Sequence, residues 1–139
     1  GAGLLTTAPD FLRFSLMLAG GGSLGPARIL GRKTVELMTR NHLPGGGDLA
    51  TLVGSDVIPD FYHTRGLGFG LGVAVVLRPE MGIHCSDGSY FWHGLGSTYH
   101  FHDPVENLTV LLMTQFMPCF GEMSVRYAIA SLAEQTLVD

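Results

Sequence analysis

The fold of this chain is decided by one stretch, YFWHGLGSTYHFHDPVENLTVLLMTQ, which runs from Tyr90 to Gln115. We interpret it as two or three antiparallel strands joined by a glycine turn and by an Asp-Pro turn. Its aromatic run ends in Trp92-His93-Gly94, so bulky aromatic side chains come directly before a glycine. This arrangement suits a place where a backbone N–H must face a ligand, because glycine lets a ligand approach the backbone closely. Nothing in the chain supplies an obvious nucleophile to go with it.

The segments on either side predict helices packed on an antiparallel sheet, an α+β fold. Thr7-Ala-Pro-Asp10 has the form of a helix start, with a hydroxyl at the N-cap and Pro in the first turn, and Gly20-Gly-Gly ends that helix. A second short helix fits residues 32–40, and a final amphipathic helix fits residues 124–137. The positions in register on this last helix are Val125, Ile129, Leu132 and Thr136.

Two glycine-rich segments separate these elements. Residues 41–59 carry a Gly45-Gly-Gly run and two prolines, and we interpret them as a long loop. Residues 66–77 predict a strand in which four alternate glycines share one face. A face without side chains suits the close approach of a helix or of another backbone. After it, Asp87-Gly88 predicts a hairpin turn.

Composition limits the class of protein. The 139 residues predict one domain; 46% are hydrophobic and only 14% are charged, against about a quarter charged in typical soluble domains. Two explanations fit: a partner covers apolar surface, or the chain is a piece of something larger. The net charge of −4, with 8 Lys and Arg spread along the chain, argues against a nucleic-acid partner. No apolar run approaches the ~18–20 residues of a membrane span.

The cellular compartment stays undecided. The sequence shows no signal peptide pattern, but it begins without Met, so we expect residues upstream that are not visible here. The two cysteines, Cys85 and Cys119, are interpreted first as small buried side chains; a disulfide or metal ligation is a less favoured alternative.

Three motif matches are weak. The glycines of residues 66–72 lack the spacing and the following helix of a dinucleotide site. Gly21-Gly-Ser23-Leu-Gly25 matches a nucleophile elbow, but a helix leads into it where a strand is required. His100, His102 and Glu106 resemble the start of a cupin metal motif, yet Pro104 interrupts the strand and no later His completes the set. We therefore expect no metal and no cofactor.

Four segments, taken in order, resemble the C-terminal part of serine hydrolases of the class C β-lactamase and family VIII esterase group. They are residues 4–18, 30–39, 66–72 and 90–115, and the likeness covers nearly the whole chain except residues 44–62. The resemblance implies an antiparallel sheet flanked by helices. It also implies a serine and lysine in an S-x-x-K box, a tyrosine in a Y-x-N box and a third box, often W-x-G in the esterases.

By this resemblance Trp92-His93-Gly94 is the third box and lines the substrate pocket. The residue after the glycine, Leu95, would donate its backbone N–H to the oxyanion hole. Such a preorganised donor typically contributes ~3 kcal/mol to transition-state stabilisation. The alternative is that Trp92 is only a buried aromatic on a core strand.

The chain also departs from the family. No serine is followed by lysine three residues later, and no tyrosine is followed by asparagine two residues later. The resemblance therefore predicts the C-terminal part of a longer serine hydrolase that cleaves an ester or amide (β-lactam-like) bond through an acyl-enzyme, with its nucleophile in the missing N-terminal part. Trp in place of Lys in the third box favours small ester substrates over β-lactams. The alternative function is a catalytically silent module that binds a peptide or protein partner.

Overall fold

The computed structural model describes residues 4–53, 65–79, 84–117 and 123–138. Within them the α+β prediction is confirmed: a five-stranded antiparallel sheet lies between helices. The helices are α1 (Ala8–Ala19), α2 (Arg32–Met38), α3 (Leu49–Val53) and α4 (Met123–Glu134), with a 3-10 turn at Pro44–Gly46. The strands are β1 (Ser23–Leu24), β2 (Ala27–Arg28), β3 (Leu67–Phe69), β4 (Ala74–Val76), β5 (Tyr90–His93), β6 (Tyr99–Asp103) and β7 (Leu108–Leu112).

The main sheet has the order β3-β4-β5-β6-β7, so every strand pairs with its neighbour in sequence. In β5 and β6, Tyr90 lies opposite His102 and His93 lies opposite Tyr99. In β6 and β7, Asp103 lies opposite Leu108. The interpretation of residues 90–115 as antiparallel strands is therefore confirmed, with three strands and two tight turns.

The two faces of the sheet are covered by different helices. Phe91, Phe101 and Val110 form one apolar face with Ala130 of α4. On the opposite face, Phe11 of α1 packs edge-on against the ring of His100, with ring centroids 5.7 Å apart. Because successive strand residues point to opposite faces, a single strand such as β6 contributes to both layers.

The start of α1 was predicted correctly. Thr7 is the N-cap, and its Oγ1 accepts a hydrogen bond from the Asp10 N–H at 3.3 Å. At the other end the Gly20 N–H donates to the Leu16 carbonyl at 2.8 Å. The second helix ends at Met38, two residues earlier than expected. The small β1–β2 hairpin and the short α3 were not predicted.

The predicted apolar stripe of the last helix is correct only in part, because Ile129 packs against the core whereas Val125 and Leu132 are exposed. Val125 is 46% exposed and Leu132 is 57% exposed, whereas Arg126 and Ala130 are buried. The helix also ends at Glu134 and not at Leu137. Periodicity alone placed Val125 and Leu132 inward, but the face that packs on the sheet carries Arg126, Tyr127 and Ala130. None of the described helices is long and apolar enough to cross a membrane.

Residues 66–77 form a hairpin, so their interpretation as one strand is wrong. The turn lies between β3 and β4, where the Gly70 N–H donates to the Val73 carbonyl at 2.8 Å. Gly72 has φ 95° and open space around it, so it is needed for the turn conformation. The predicted close approach of another backbone is confirmed at Gly70, whereas Gly68 is approached by the side chain of Asn41. A Cβ on Gly68 would lie 2.6 Å from Asn41 Oδ1, and one on Gly70 would overlap the Met38 carbonyl.

The loop after α2 covers the β3 edge of the sheet. The His42 N–H donates to the Phe69 carbonyl at 2.8 Å, and Asn41 Oδ1 accepts from the Phe69 N–H at 3.1 Å. Asn41 Nδ2 also donates to the Gly47 carbonyl at 2.9 Å, which ties the glycine-rich loop to the same edge. The other edge strand, β7, pairs only with β6 among the described residues. Residues 54–59 of the predicted loop lie outside them.

Candidate active site

The predicted third box leads into a tight turn between β5 and β6, formed by residues 94–98. The Gly94 N–H donates to the Thr98 carbonyl at 3.1 Å, and the Ser97 N–H donates to the Gly94 carbonyl at 3.1 Å. Ser97 has φ 61°, a left-handed conformation that costs energy for a residue with a side chain. A Cβ on Gly94 would lie 2.6 Å from Thr98 Oγ1, so the turn also needs glycine there.

The chain that follows β7 holds this turn from one side. The Gly96 carbonyl accepts hydrogen bonds from Thr114 Oγ1 at 2.8 Å and from the Phe116 N–H at 3.1 Å. Ser97 Oγ donates in return to the Phe116 carbonyl at 3.0 Å. These three bonds stabilise the strained Ser97 conformation and fix the turn against the neighbouring segment.

Helix α4 holds the turn from the other side. Arg126 is only 1% exposed, and its Nη2 donates to the Gly94 carbonyl at 3.0 Å. The packing of Ala130 and Tyr127 on the sheet fixes the helix at this height. A hydrogen bond from a charged guanidinium is shorter and stronger than one between neutral groups. This contact was not predicted, because it joins positions 32 residues apart.

The residue predicted to supply the oxyanion donor lies at the exposed tip of this turn. Leu95 is 65% exposed. Within the part of the chain that the structure describes, its N–H makes no hydrogen bond. The Gly94–Leu95 peptide therefore has a carbonyl that accepts two hydrogen bonds and, in the described part of the chain, an N–H that donates none.

The side chains of the third box form an aromatic wall before the turn. The Trp92 ring meets Phe69 edge-on with centroids 4.9 Å apart and stacks on His93 at 4.8 Å. Trp92 is 39% exposed, so it is not a fully buried core aromatic. Burial and the nearby Arg126 charge lower the pKa of His93 to about 4, so its imidazole is neutral at neutral pH.

The weak motif matches have no matching geometry. Ser23 lies in β1, followed by a hairpin and not by a helix. The glycines of residues 66–72 lead into β4. His100 and His102 share a sheet face, but His102 Nδ1 pairs with Thr109 Oγ1 at 2.9 Å. Among the described residues no group of His, Cys, Asp and Glu is arranged to hold a metal. Cys85 is a half-buried free thiol, and Cys119 lies outside the described residues.

A second polar cluster, at the opposite end of β6, was not predicted. Asp103 is fully buried, and its carboxylate accepts from the backbone N–H groups of Ser86 (2.6 Å), Val105 (2.8 Å) and Glu106 (3.1 Å). Burial alone would raise the pKa of Asp103, but these donors outweigh it and the pKa is lowered. The Asp-Pro pair indicated a turn here, yet nothing in the pattern indicated a buried carboxylate.

Glu134 of α4 faces the same cluster. Burial, together with the negative charges of Asp103 and Glu106, raises the pKa of Glu134 to about 7. The side chain lines an open recess of about 440 Å³ beside Cys85, whose own pKa is raised to about 11, chiefly by burial. A thiol with a raised pKa is a poor nucleophile at neutral pH, so the recess offers no activated cysteine among its described lining residues.

Comparison with known proteins supports the fold. No family model matches the chain. Two curated proteins of Mycobacterium tuberculosis, "Protein Rv1367c" and "Uncharacterized protein MT1414", are each 31% identical to it over 141 aligned positions, which include 99% of the chain. The chain spans 33% of their length.

Two solved structures share the fold of this chain. EstCE1, described as a hydrolase with promiscuous acyltransferase activity, matches 89% of the chain with a TM-score of 0.62 and 26% identity. Simvastatin synthase (LovD) from Aspergillus terreus matches 91% of it with a TM-score of 0.64 and 20% identity. The chain corresponds to 28% and 34% of those two proteins. It therefore has a β-lactamase-like architecture, shared with enzymes about three times its length.

Proposed function

We propose that this chain is the C-terminal part of a serine hydrolase, in which it supplies one wall of the active site and the second oxyanion donor. The observation that carries the proposal is the Gly94–Leu95 peptide. Its carbonyl is held by Arg126 and by the Ser97 N–H, and its own N–H stays open beside the Trp92 wall. Fixed donors aimed at a developing charge are the usual source of oxyanion stabilisation.

The nucleophile is proposed to lie upstream. Ser97 is buried, and its Oγ donates a hydrogen bond to the Phe116 carbonyl. Ser23 lies in the small β1–β2 hairpin and not between a strand and a helix, as a nucleophile elbow requires. Several apolar side chains on α1 and α4 are exposed, as expected if further chain covers them. They include Leu12, Phe14, Val125 and Leu132. The fold shared with longer enzymes points in the same direction.

The mechanism follows from these parts. A serine activated by an upstream lysine and tyrosine would attack the substrate carbonyl. The oxygen would develop negative charge between the serine N–H and the Leu95 N–H. Expulsion of the leaving group would give an acyl-enzyme, and water would then release the acid. The promiscuous acyltransferase activity in the description of EstCE1 suggests that an alcohol could replace water in the second step.

The side chains around the turn favour neutral, apolar acyl groups. Trp92, Leu95 and Phe116 are exposed there, and none of their side chains carries a positive charge for a substrate carboxylate. The neutral His93 adds no charge. Small esters therefore fit this wall better than anionic β-lactams.

The test uses the intact protein that contains this chain. It is treated with a fluorophosphonate and its mass is measured, and its turnover is compared on p-nitrophenyl butyrate and on an anionic cephalosporin. We expect one adduct on a serine upstream of residue 1 and faster turnover of the ester. The matched control replaces that serine by alanine, which should abolish both the adduct and the turnover.

Three results would contradict parts of the proposal. An adduct on Ser23 or Ser97 would place the nucleophile inside this chain. A preference for the cephalosporin would overturn the choice of ester substrates. Absence of both adduct and turnover would favour the alternative, a catalytically silent module that binds a peptide or protein in the same cleft.

A further inference from the structure

The side chain of Arg126 is placed where a packing role alone would not require a cation. It is 1% exposed on the face of α4 that meets the sheet, beside Ala130 and Tyr127. Removing a guanidinium from water is costly, and an apolar side chain of similar length would fill the same space without that cost. The geometry of its hydrogen bond therefore needs an explanation.

The acceptor of that bond is the carbonyl of one particular peptide unit. Arg126 Nη2 lies 3.0 Å from the Gly94 carbonyl oxygen, and the nitrogen of the same peptide belongs to Leu95. A hydrogen bond to an amide oxygen withdraws electron density from the amide nitrogen, and chains of such bonds strengthen one another by roughly 10–30% each. A charged donor in a buried position gives the largest effect of this kind.

The same contact fixes which way the peptide faces. The Gly94 carbonyl accepts from the buried Arg126 and, within the turn, from the Ser97 N–H at 3.1 Å, so two donors fix its direction. Rotation of the Gly94–Leu95 peptide plane would break both bonds. It would also present a carbonyl oxygen where a donor is needed, and this would repel a developing oxyanion.

We propose that Arg126 is a positioning residue for the oxyanion hole: its guanidinium locks the Gly94–Leu95 peptide with the N–H outward and polarises that N–H for the tetrahedral intermediate. This inference rests on the proposed function. Arg126 does not touch the substrate in this role. It acts on the transition state through the Leu95 amide and has little influence on substrate binding.

The test compares Arg126→Met and Arg126→Lys in the intact protein, with p-nitrophenyl butyrate and with the rate of fluorophosphonate labelling. The loss of a whole oxyanion donor costs ~100–1,000-fold in kcat, so a weakened donor should cost ~10-fold or more in the methionine variant, with KM within about twofold. Lysine retains a cationic donor, so Arg126→Lys should recover part of kcat. The labelling rate should fall in parallel, because the phosphorus centre passes through a similar charged geometry.

The control is Arg28→Met. Arg28 also donates from Nη1 to a backbone carbonyl, that of Leu30 at 3.0 Å, but it is exposed and lies in the β1–β2 hairpin. Its replacement should leave kcat unchanged. Circular dichroism establishes that each variant is folded. If Arg126→Met does not fold, Arg126→Gln decides, because its neutral amide polarises the peptide less than a guanidinium does, and a kcat per titrated active site within twofold of wild type would contradict the proposal.

The possible results distinguish an error in the proposed hydrolase function from an error in the role of Arg126. An intact wild-type protein without labelling or turnover overturns the proposed function and this role with it. An active wild type whose folded Arg126→Met variant keeps kcat within twofold overturns the role of Arg126 alone. A loss confined to KM would also overturn it, because it would assign Arg126 to substrate binding.

Discussion

The two turns that flank β6 use buried charge in opposite ways. At the β5–β6 turn, a guanidinium binds a carbonyl and leaves the N–H of the same peptide open. At the β6–β7 turn, the Asp103 carboxylate collects three backbone N–H groups and leaves none of them available. Both turns meet the same helix, through Arg126 at one end and Glu134 two turns later. A buried cation that binds the carbonyl of a turn leaves the N–H of that peptide free for an anionic ligand. A buried carboxylate instead accepts hydrogen bonds from the N–H groups of its turn and thereby stabilises the fold.

Removal of the Asp103 carboxylate should give the largest effect on stability. Asp103→Ala removes a fully buried carboxylate that accepts three part-buried hydrogen bonds from backbone N–H groups, and we expect a loss of about 3 kcal/mol in the free energy of unfolding. Urea unfolding of the intact protein measures this loss. Asp10→Ala is the control, because Asp10 accepts a hydrogen bond from Thr7 at an exposed helix start and should cost less than about 1 kcal/mol. Equal losses in the two variants would contradict the structural role of the β6–β7 turn.

A methyl group at Gly94 should affect activity more than stability. Gly94→Ala places a Cβ against Thr98 Oγ1 and displaces the Gly94–Leu95 peptide, so we expect kcat/KM for the ester to fall ~30-fold, equivalent to about 2 kcal/mol. Gly31→Ala is the control, since a Cβ there makes only ordinary contact with Thr34 Oγ1 at 3.5 Å. Adding Thr98→Ala makes room for the methyl group and should restore part of the activity. A wild-type kcat/KM in Gly94→Ala would remove this turn from the active site.

The smallest effect is expected from Glu134 and depends on pH. The pKa of Glu134 is raised from 4.5 to about 7 in the folded state, so the folded protein holds this proton more tightly than the unfolded chain. The associated stability is complete below pH 4.5 and is lost as the pH rises through about 7. Glu134→Gln should therefore be more stable than wild type at pH 8, by on the order of 1 kcal/mol after solvent screening, and equal to it at pH 4. Thermal unfolding at both pH values measures the difference. A constant difference between them would show that neither burial nor the charges of Asp103 and Glu106 raise the pKa of Glu134.

The sequence predicted well those features that depend on neighbouring residues. The Thr7 cap is local, so its residues identified the helix start correctly. The pattern of residues 90–115 was also sufficient to predict the antiparallel strands, because glycine and Asp-Pro mark the two turns between them. The hairpin of residues 66–77 was missed because its turn carries no Asn-Gly or Asp-Gly pair, and its alternation of glycine and apolar residues looks continuous.

The candidate site was predicted only in part. Trp92, His93, Gly94 and Leu95 were selected by resemblance, and the structure brings them to one turn, but their roles in binding and catalysis remain predictions. Arg126 was not found because a charged residue on an amphipathic helix is normally assigned to the exposed face. Its partner lies 32 residues away, and only packing of α4 on the sheet brings the two together. A residue pattern contains no information about such a contact.

The unequal edges of the sheet have a practical consequence for handling this chain alone. The β3 edge is occupied by Asn41 and His42, whereas the backbone of β7 has a neighbour on one side only among the described residues. An unpaired edge strand is a template for another copy of itself. Within the described part of the chain only the β7 edge lacks a neighbour, so such pairing would join two molecules through that edge. Isolated chains are therefore expected to form dimers at high concentration, and size-exclusion chromatography would show this as a change in elution volume with loading.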